Sequence, residues 1–491
     1  MAGNTTIIEA LGTAPAATAK MREAISLWTD MYENHPYWIH EPDEDDHTRV
    51  ISIGLPALIA SEKARMATLE FVSKITSETD ADRAEFLDKS YQVGLVPEIR
   101  KQSEYAIAKG GLAITPYPVY QKDKEGKEKL HHFAFDFTQA DRFIPISFDS
   151  QGRLIDAAFV MRKETEDYIY YRLERQSYVN GVCTVSNRLF RRSASETVLE
   201  NPDDIYDIVL GKEVSLEEVP EWSGLEAEKE ISGVDRCLFA YLKMPHANNI
   251  ESDSPLGVSS FSRAVGLIRN ADVQYARLDW EYEAAQMHLD VDDEALKEEL
   301  KEDGSHGERH LSQLQDRLCW RYDTNDPNTY NVYAPTMRDQ SYINGLETIL
   351  TRIEDACALS HGTISRLTEQ ARTATELKIL KQRTYSENAD IQQAIQKALE
   401  DVVYIMDVYY SLINGEKNER CDVSFEFDDS IIVDRETELQ QRLTLQDRGL
   451  TSKVENRMWY FGETEDQAIE AIAKIEQENT RKAVNLLDED I

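Results

Sequence analysis

Residues 359–376 read LSHGTISRLTEQARTATE, a short polar stretch between two long amphipathic segments. Apolar residues recur every three or four positions on both sides of it, which predicts a helix before it and another after it. The stripe before the stretch consists of Ile343, Leu346, Leu350, Ile353 and Cys357, and the stripe after it includes Ile391, Ala394, Ile395, Ala398, Val402, Ile405, Met406 and Tyr409. The polar stretch is therefore predicted to be a loop, with a helix from near Thr373 to just before Gly415.

A third long helix is predicted upstream, between about residues 258 and 287. Its stripe consists of Phe261, Val265, Ile268, Ala271, Tyr275, Leu278, Tyr282 and Ala285. Acidic and aromatic residues 288–337 separate it from the next helix, with strand-like pieces at 318–322 and 331–333. The order helix, excursion, helix, loop, helix predicts a hairpin-like rod with a small unit at its tip. Such a rod can pack inside one chain or against the rods of other subunits in a ring, and the pattern fits both.

The N-terminal half is predicted to combine helices with an antiparallel sheet. Helices are expected over 20–40, 55–71 and 90–109, and one meander of strands over 112–191. Asn180-Gly181 is the strongest hairpin signal in that meander. Pro116 and Pro118 indicate an edge strand. The sequence also predicts a strand from Cys237 to Met244, a last strand around Phe425 and Phe427, and three C-terminal helices. The predicted fold class is therefore α+β.

Charge and composition exclude several classes of protein. The 491 residues carry 54 Lys and Arg against 91 Asp and Glu, a formal net charge of −37. A chain this acidic does not bind nucleic acid by general electrostatics, which requires cations on the phosphates. The charge either provides solubility or lets the surface pass close to DNA without sticking. No apolar run reaches the length of a membrane span, no signal peptide is expected, and five dispersed cysteines indicate reduced thiols.

No sequence motif indicates catalysis, a cofactor or a metal site. The chain has no phosphate-binding P-loop, no dinucleotide-binding glycine pattern and no nucleophile elbow, so it is not expected to be a motor ATPase or another enzyme. His306 and His310 have a zinc-protease spacing, but the glutamate is displaced and glycines break the helix. A second group of possible ligands, for which a solvated loop is favoured, consists of His40, Asp43, Asp45, Asp46 and His47.

Several stretches, in order along most of the chain, resemble the portal proteins of tailed bacteriophages, the head-to-tail connectors, in the siphovirus type of Gram-positive hosts. The most specific stretch is Leu359–Ser365 followed by Thr373–Glu376. The other stretches are Gly110–Pro116, Ala140–Pro145 with Asp149–Gly152, Ala334–Arg338, Phe427–Ile431 and Asp447–Lys453. Each piece is weak alone, and their collinear order carries the resemblance.

The resemblance implies a portal fold with an α/β wing, a stem of long helices, a small α/β clip and a helical C-terminal crown. On this chain the wing is 1–254, the stem helices are 255–287 and 338–359, and the clip between them is 288–337. The tunnel loop is 360–372. A long wing helix and the last strand then occupy 373–434, and the crown is 435–491.

The resemblance also implies the function: a ring of twelve copies at one capsid vertex, with a channel for packaging and ejecting double-stranded DNA. Expected partners are the large terminase, the major capsid and scaffolding proteins and a head-completion adaptor, with no membrane and no cofactor. The virion is the expected location, after assembly in the host cytoplasm.

Two sets of site residues follow from this resemblance. Five tunnel-loop residues would contact DNA: His361, Arg366, Gln370, Arg372 and Lys378. Six clip residues would dock the terminase and then the adaptor: Asp290, Asp292, Asp293, Glu294, Glu298 and Glu299. The stretch from His361 to Arg383 is locally basic, and its charges serve either phosphate contact or ordinary salt bridges. Another virion ring or connector protein, or an enzyme that uses the acidic clusters, is the alternative.

Overall fold

The computed structural model describes most of the chain, and for the described residues within 288–333, 374–382 and 435–438 it describes the backbone alone. The described residues are 5–40, 49–69, 71–122, 127–195, 204–285, 288–292, 298–300, 306–309, 318–321, 330–366, 374–415, 420–427, 435–465 and 467–475. They fall into two compact units. The first unit consists of Met1–Thr68 and Ser73–Phe425, and the second of Leu69–Val72 and Glu426–Ile491.

Five helices open the first unit, with side-chain caps that explain where several of them begin. They are α1 Ile7–Leu11, α2 Ala19–Tyr32, α3 Leu55–Ala67, α4 Ala81–Gly94 and α5 Ile99–Lys109. The Thr18 hydroxyl accepts the Met21 N–H at the start of α2, and the Asp80 carboxylate accepts the Arg83 N–H at the start of α4. The single helix predicted over 90–109 is wrong. A 3-10 turn at Val96–Glu98 separates α4 from α5, because Pro97 cannot donate the hydrogen bond that a continuous helix needs.

The strands of the first unit before the rod form two main antiparallel sheets. In chain order they are β1 Thr5–Thr6, β2 Val72–Thr76, β3 Gly111–Lys122, β4 Glu128–Gln139, β5 Phe143–Phe148, β6 Leu154–Glu164, β7 Tyr168–Val179, β8 Val182–Ser193, β9 Val209–Val214, β10 Glu228–Ser232 and β11 Ala240–Lys243. The larger sheet has the order β1-β9-β8-β7-β6-β5, with β10 also on β8, and the smaller has the order β11-β3-β4. Asn180 and Gly181 join β7 to β8 with φ of 51° and 85°, which confirms the predicted hairpin.

The single meander predicted over 112–191 is therefore divided in two. Strands β5 to β8 do form a meander, but β3 and β4 belong to the smaller sheet. The second edge of β3 is taken by β11, which pairs with Gly111–Ile114. Beyond Ile114 only β4 pairs with β3, and Pro116 and Pro118 lie in that part. The two prolines thus occupy an edge, as their missing N–H groups require.

Two glycines bring the start of β3 against the segment that leads into the rod. Gly110 has φ of 92°, and a Cβ atom there would lie 2.7 Å from the Gly257 carbonyl oxygen. A Cβ atom on Gly257 would lie 2.0 Å from the Gly110 oxygen. Only glycine fits at either position, so this crossing fixes where the rod leaves the sheet.

Three long helices follow and correspond to the predicted rod and its return. They are α6 Val265–Ala284, α7 Asp339–Ala356 and α8 Ala374–Asn414. Helices α6 and α7 pack against each other. Helix α8 has 41 residues and buries Ile391, Ile395, Val402 and Met406 completely. Strand β17, Asp422–Glu426, then pairs with β2.

The described backbone between α6 and α7 contains five short strands. They are β12 His288–Asp292, β13 Glu298–Leu300, β14 His306–Arg309, β15 Leu318–Arg321 and β16 Tyr330–Tyr333. Strand β12 is central, parallel to β15 and antiparallel to β16, whereas β13 pairs with β14. The strand-like pieces predicted near 318–322 and 331–333 are confirmed. His310 and the loop that contains Asp43, Asp45, Asp46 and His47 lie outside the described residues.

The second unit is helical. Its helices are α9 Arg435–Asp447 and α10 Lys453–Phe461, and residues 467–475 are also helical. A capping box starts α10, because the Ser452 hydroxyl accepts the Glu455 N–H and the Glu455 carboxylate accepts the Ser452 N–H. Arg442 of α9 lies over the Trp459 ring of α10 at 4.4 Å from its centroid. Within the described ranges, no helix is apolar over a length that would cross a membrane.

Candidate functional site

The segment after α7 turns sharply at the end of the helix. Ala358 adopts a left-handed conformation with φ of 55°, and the Leu359 N–H donates to the Glu354 carbonyl oxygen at 2.9 Å. This pairing terminates the helix in the usual left-handed way, although alanine stands where glycine is usual. Leu359 and Cys357 are buried beside the turn. The loop therefore starts from a fixed direction.

The Glu354 carboxylate organises residues 362–365. It is 0% exposed, and its Oε1 accepts the N–H groups of Gly362, Ile364 and Ser365 at 3.1, 2.7 and 2.9 Å. Its Oε2 accepts the Ser365 hydroxyl at 2.8 Å. Successive backbone N–H groups that converge on one anion form a nest, and here the anion is part of the chain itself. The carboxylate thus fixes the first half of the loop on α7.

A second glutamate on α7 holds Arg366. The Arg366 N–H donates to Glu347 Oε2 at 3.0 Å, and its Nε lies 3.3 Å from Glu347 Oε1. The Arg366 side chain is still 75% exposed. The guanidinium is therefore positioned by one ion pair while most of its surface stays open to a further anion.

His361 joins the loop to both neighbouring helices through Asp355. Its Nε2 lies 3.1 Å from Asp355 Oδ1, which also accepts from Arg383 of α8 at 2.8 Å. These contacts, with the His361 hydrogen bond as the largest, lower the pKa of the Asp355 carboxyl. The Ser360 and Thr384 hydroxyls add a 2.7 Å hydrogen bond between loop and helix. The structure thus brings His361 and Arg366 into one loop but gives each of them a carboxylate partner.

The other predicted loop residues are described less fully. Gln370 and Arg372 lie outside the described residues, and Lys378 lies in the second turn of α8. Of the acidic residues predicted to dock partners, Asp290 and Asp292 lie on β12, and Glu298 and Glu299 lie on β13. Asp293 and Glu294 lie outside the described residues. In the backbone register Asp290 stands between Cys319 of β15 and Asn331 of β16.

The two rod helices are joined at their far end by Arg338 and Glu281. Arg338 Nη2 lies 2.7 Å from Glu281 Oε2, and the Arg338 N–H and Nε both donate to Glu281 Oε1. The Glu281 side chain is only 6% exposed. These hydrogen bonds lower the pKa of the Glu281 carboxyl. The pair Arg338–Glu281 therefore joins α6 to α7 at the place where the chain leaves for residues 288–333 and returns from them.

Three groups of charged side chains hold α8. Glu387 accepts from Lys63 of α3 at 2.7 Å and pairs with His246, while Asp401 pairs with Arg236. Asp407 accepts from Arg83 of α4 at 2.7 Å and from the Cys421 N–H at 2.6 Å. Burial raises the pKa of the Asp407 carboxyl, although these donors oppose it. Helix α8 is thereby fixed to the helices and loops around it.

Residues 246–482 match the family model of the phage portal protein, SPP1 Gp6-like. This match supports a phage portal protein. A search of curated proteins finds no significant match to the chain. The match begins before α6 and runs past α10, so it contains the rod, the excursion, the loop and α8 in order.

The match supports a coarse role, that of a phage portal protein. The resemblance to phage portal proteins is confirmed by this match, and the family is structural and non-enzymatic. Portal proteins are virion proteins of the capsid, and they act as capsid-associated oligomers with DNA and packaging partners. The mixed helix and strand content agrees with the α+β class.

The sequence did not reveal the carboxylates that hold this portal loop. Glu354 and Asp355 lie in the last turn of α7, where an acidic residue is unfavourable beside the negative end of the helix dipole. Two acidic residues in the last helical turn, followed by a His-Gly pair, are the feature of the sequence that could have indicated a nest of N–H groups around a carboxylate. Glu281 carried no comparable signal, because its partner Arg338 follows 57 residues later.

Proposed function

We propose that this chain assembles as a ring of twelve at one capsid vertex and forms the channel through which double-stranded DNA is packaged and later ejected. The observation that carries the proposal is the family match over 246–482, which contains the whole helix, excursion, helix, loop, helix order. The proposal assigns 1–254 to the wing, 288–337 to the clip and 435–491 to the crown. The stem consists of 255–287 and 338–359, and 373–434 returns to the wing.

The rod leaves apolar surface for neighbouring copies. Ile343, Leu346 and Leu350 of the α7 stripe are only half-buried in the single chain, and Trp280 near the end of α6 is 55% exposed. Apolar side chains in a row on a rod are stabilised when a second rod covers them. This surface supports packing of rod against rod around a ring.

The loop 360–372 is proposed to face the channel and contact DNA through His361, Arg366, Gln370, Arg372 and Lys378. Arg366 supports this role because its guanidinium is largely exposed and already oriented by Glu347. Contact with the phosphate backbone is independent of sequence, as a conduit for any genome requires. The net charge of −37 suits a wall that repels DNA elsewhere along the path.

The clip is proposed to dock the large terminase and afterwards the head-completion adaptor. The acidic residues Asp290, Asp292, Asp293, Glu294, Glu298 and Glu299 would form this surface. Charge on an exposed docking surface tunes the encounter rate and partner choice more than the affinity. The remaining proposed partners are the major capsid and scaffolding proteins, and the proposed place of assembly is the host cytoplasm.

The ring is tested by negative-stain microscopy and native mass spectrometry of the purified protein without nucleotide. We expect closed rings with a central hole, and eleven to thirteen subunits all agree with the proposal. A monodisperse monomer at high concentration would contradict it. Closed rings that fail to support DNA packaging in a reconstituted assay would instead point to another virion connector.

The loop is tested with Arg366→Ala and, as a matched control, Arg352→Ala on α7. Both arginines are largely exposed, but Arg352 is not on the loop. We expect intact rings in both variants and a changed packaging rate, or weaker retention of packaged DNA, only for Arg366→Ala. Each lost phosphate contact is worth about 1 kcal/mol and is salt-sensitive. Equal packaging rates together with equal retention of packaged DNA in both variants would contradict a DNA contact at Arg366.

The clip is tested with a variant in which each Asp between positions 290 and 299 is replaced by Asn and each Glu by Gln. Intact rings with impaired packaging would support docking at this surface. Unchanged packaging would contradict it. Aggregation of the variant would show that these acids serve solubility instead.

A further inference from the structure

A cavity of about 370 Å³ lies in the first unit, away from the rod and the loop. It is formed by the end of β11, one face of α8 around Gln393 and Lys397, and the turn before β6. Apolar side chains form a floor, among them Leu154, Phe239 and Tyr241. This volume lies within the range of pockets that bind small organic molecules.

Three cationic side chains at this cavity have no direct ion-pair partner in the described part of the chain. Lys243, Lys397 and Arg153 line it, and none of their side chains forms an ion pair or hydrogen bond with the described residues. Lys243 is half-buried, and burial together with the nearby Lys397 lowers its pKa. In a chain with 91 carboxylates, two neighbouring lysines that form no ion pair among the described residues are unusual. Such an arrangement is relieved by an anion from outside the chain.

The two carboxylates at the cavity do not satisfy these cations. Asp401 pairs directly with Arg236 and attracts Arg153 and Lys397 only from longer range. Asp390 is exposed at the rim and forms no ion pair among the described residues. Three unpaired cations and one unpaired acid leave an excess of about two positive charges, which matches a dianion better than a single carboxylate.

We propose that this pocket binds a phosphate monoester with a planar apolar body, the chemistry of a nucleoside monophosphate. Lys243, Lys397 and Arg153 hold the phosphate, and the body lies on the floor made by Leu154, Phe239 and Tyr241. Arginine and lysine are the usual phosphate ligands, and the floor supplies the apolar contact that inorganic phosphate cannot use.

The experiment is calorimetric titration of the full chain with thymidine monophosphate, inorganic phosphate and thymidine. We expect binding of the monophosphate, binding of inorganic phosphate at least tenfold weaker, and no measurable binding of thymidine. The variant with Lys243→Met and Lys397→Met keeps the apolar stems and should bind the monophosphate at least tenfold more weakly. Lys101→Met, an exposed lysine of α5, is the control and should leave binding unchanged.

Each other result contradicts the proposal. Unchanged binding by the double variant would remove the site, and equal weakening by Lys101→Met would show non-specific attraction. If inorganic phosphate bound as tightly as the monophosphate, the proposed contact between the apolar body of the ligand and the cavity would be contradicted. If the double variant does not fold, by circular dichroism, Arg153→Gln at the surface turn replaces it and should weaken binding at least threefold.

Discussion

At the scale of single residues, the Glu354 carboxylate is the group on which the loop geometry depends most. It is buried, carries no cationic partner among the described residues, and is satisfied by the loop's own N–H and hydroxyl groups. A buried charge without such donors would be strongly destabilising. The loop therefore supplies the donors that stabilise the buried Glu354 carboxylate, and the carboxylate in turn fixes the conformation of the loop.

Replacing Glu354 with Gln should loosen the loop. The amide keeps the size of the side chain but turns one acceptor into a donor that faces the N–H groups of Gly362, Ile364 and Ser365. We expect a loss of about 1–3 kcal/mol and at least tenfold faster amide hydrogen exchange at 362–365. Mass-spectrometric hydrogen exchange measures it. Glu347→Gln is the control and should speed amide exchange mainly at Arg366. If both variants changed the exchange of residues 362–365 equally, Glu354 would not be the group that holds the loop.

The Glu387 carboxyl should add an acid-sensitive component to stability. Burial raises its pKa, but the His246 hydrogen bond and the charges of Lys63 and His246 outweigh burial and bring the pKa to about 2, below its usual 4.5. Because the folded pKa is depressed, the stabilisation is complete above about pH 4.5 and disappears as the pH falls towards 2. It amounts to about 3 kcal/mol.

Thermal unfolding of the protein and of Glu387→Gln between pH 6 and 3 checks this component. The difference in stability between the two proteins should shrink as the pH falls below 4.5. A difference that stays constant down to pH 3 would contradict the depressed pKa. The control is Glu62→Gln, whose partner Arg65 is half exposed and whose pH-dependent effect should be small.

At the scale of elements, the pairing of α6 with α7 should depend on Arg338. Removing its side chain in Arg338→Ala leaves the nearly buried Glu281 carboxylate with two fewer hydrogen bonds. Since the backbone N–H remains, we expect a loss of about 1–3 kcal/mol rather than complete unfolding. Denaturant unfolding measures it, with Arg352→Ala as the exposed control on the same helix. A loss equal to the control's would show that the clamp contributes nothing.

The elements differ in how far the sequence predicts them. Helices α6, α7 and α8 and the β7–β8 hairpin follow from apolar spacing and from Asn180-Gly181, which are local signals. The division of the predicted meander does not, because β11 reaches β3 from about 130 residues later in the chain. The nest around Glu354 likewise depends on how residues 362–365 fold back, which no periodicity encodes. Local patterns thus predict elements, whereas pairing partners and buried carboxylates come from the tertiary structure.

At the scale of the whole molecule, the net charge of −37 opposes assembly of like subunits. In the proposed ring each copy repels its neighbours, and this repulsion is screened over about 8 Å at physiological ionic strength. We expect the ring fraction to rise as sodium chloride increases from about 20 to 300 mM, as long as apolar rod contacts hold the ring together. Sedimentation velocity at both salt concentrations measures it. A ring that dissociates as salt rises would show that ion pairs, not apolar contacts, hold the subunits.

Helix α8 also has a mechanical consequence. Its 41 residues span about 60 Å, and its charged anchors at Glu387, Asp401 and Asp407 lie within about 30 Å of that length. The turns before Glu387 therefore extend about 20 Å beyond these anchors, and the described half of the loop contacts α8 close to the anchors, at Arg383 and Thr384. A force along the helix axis is resisted by the hydrogen bonds of every turn. A force perpendicular to the axis instead bends the helix at the anchors, and its effect there grows with the distance from them. The anchors thus set how far a sideways pull on the loop is felt by the sheets of the first unit.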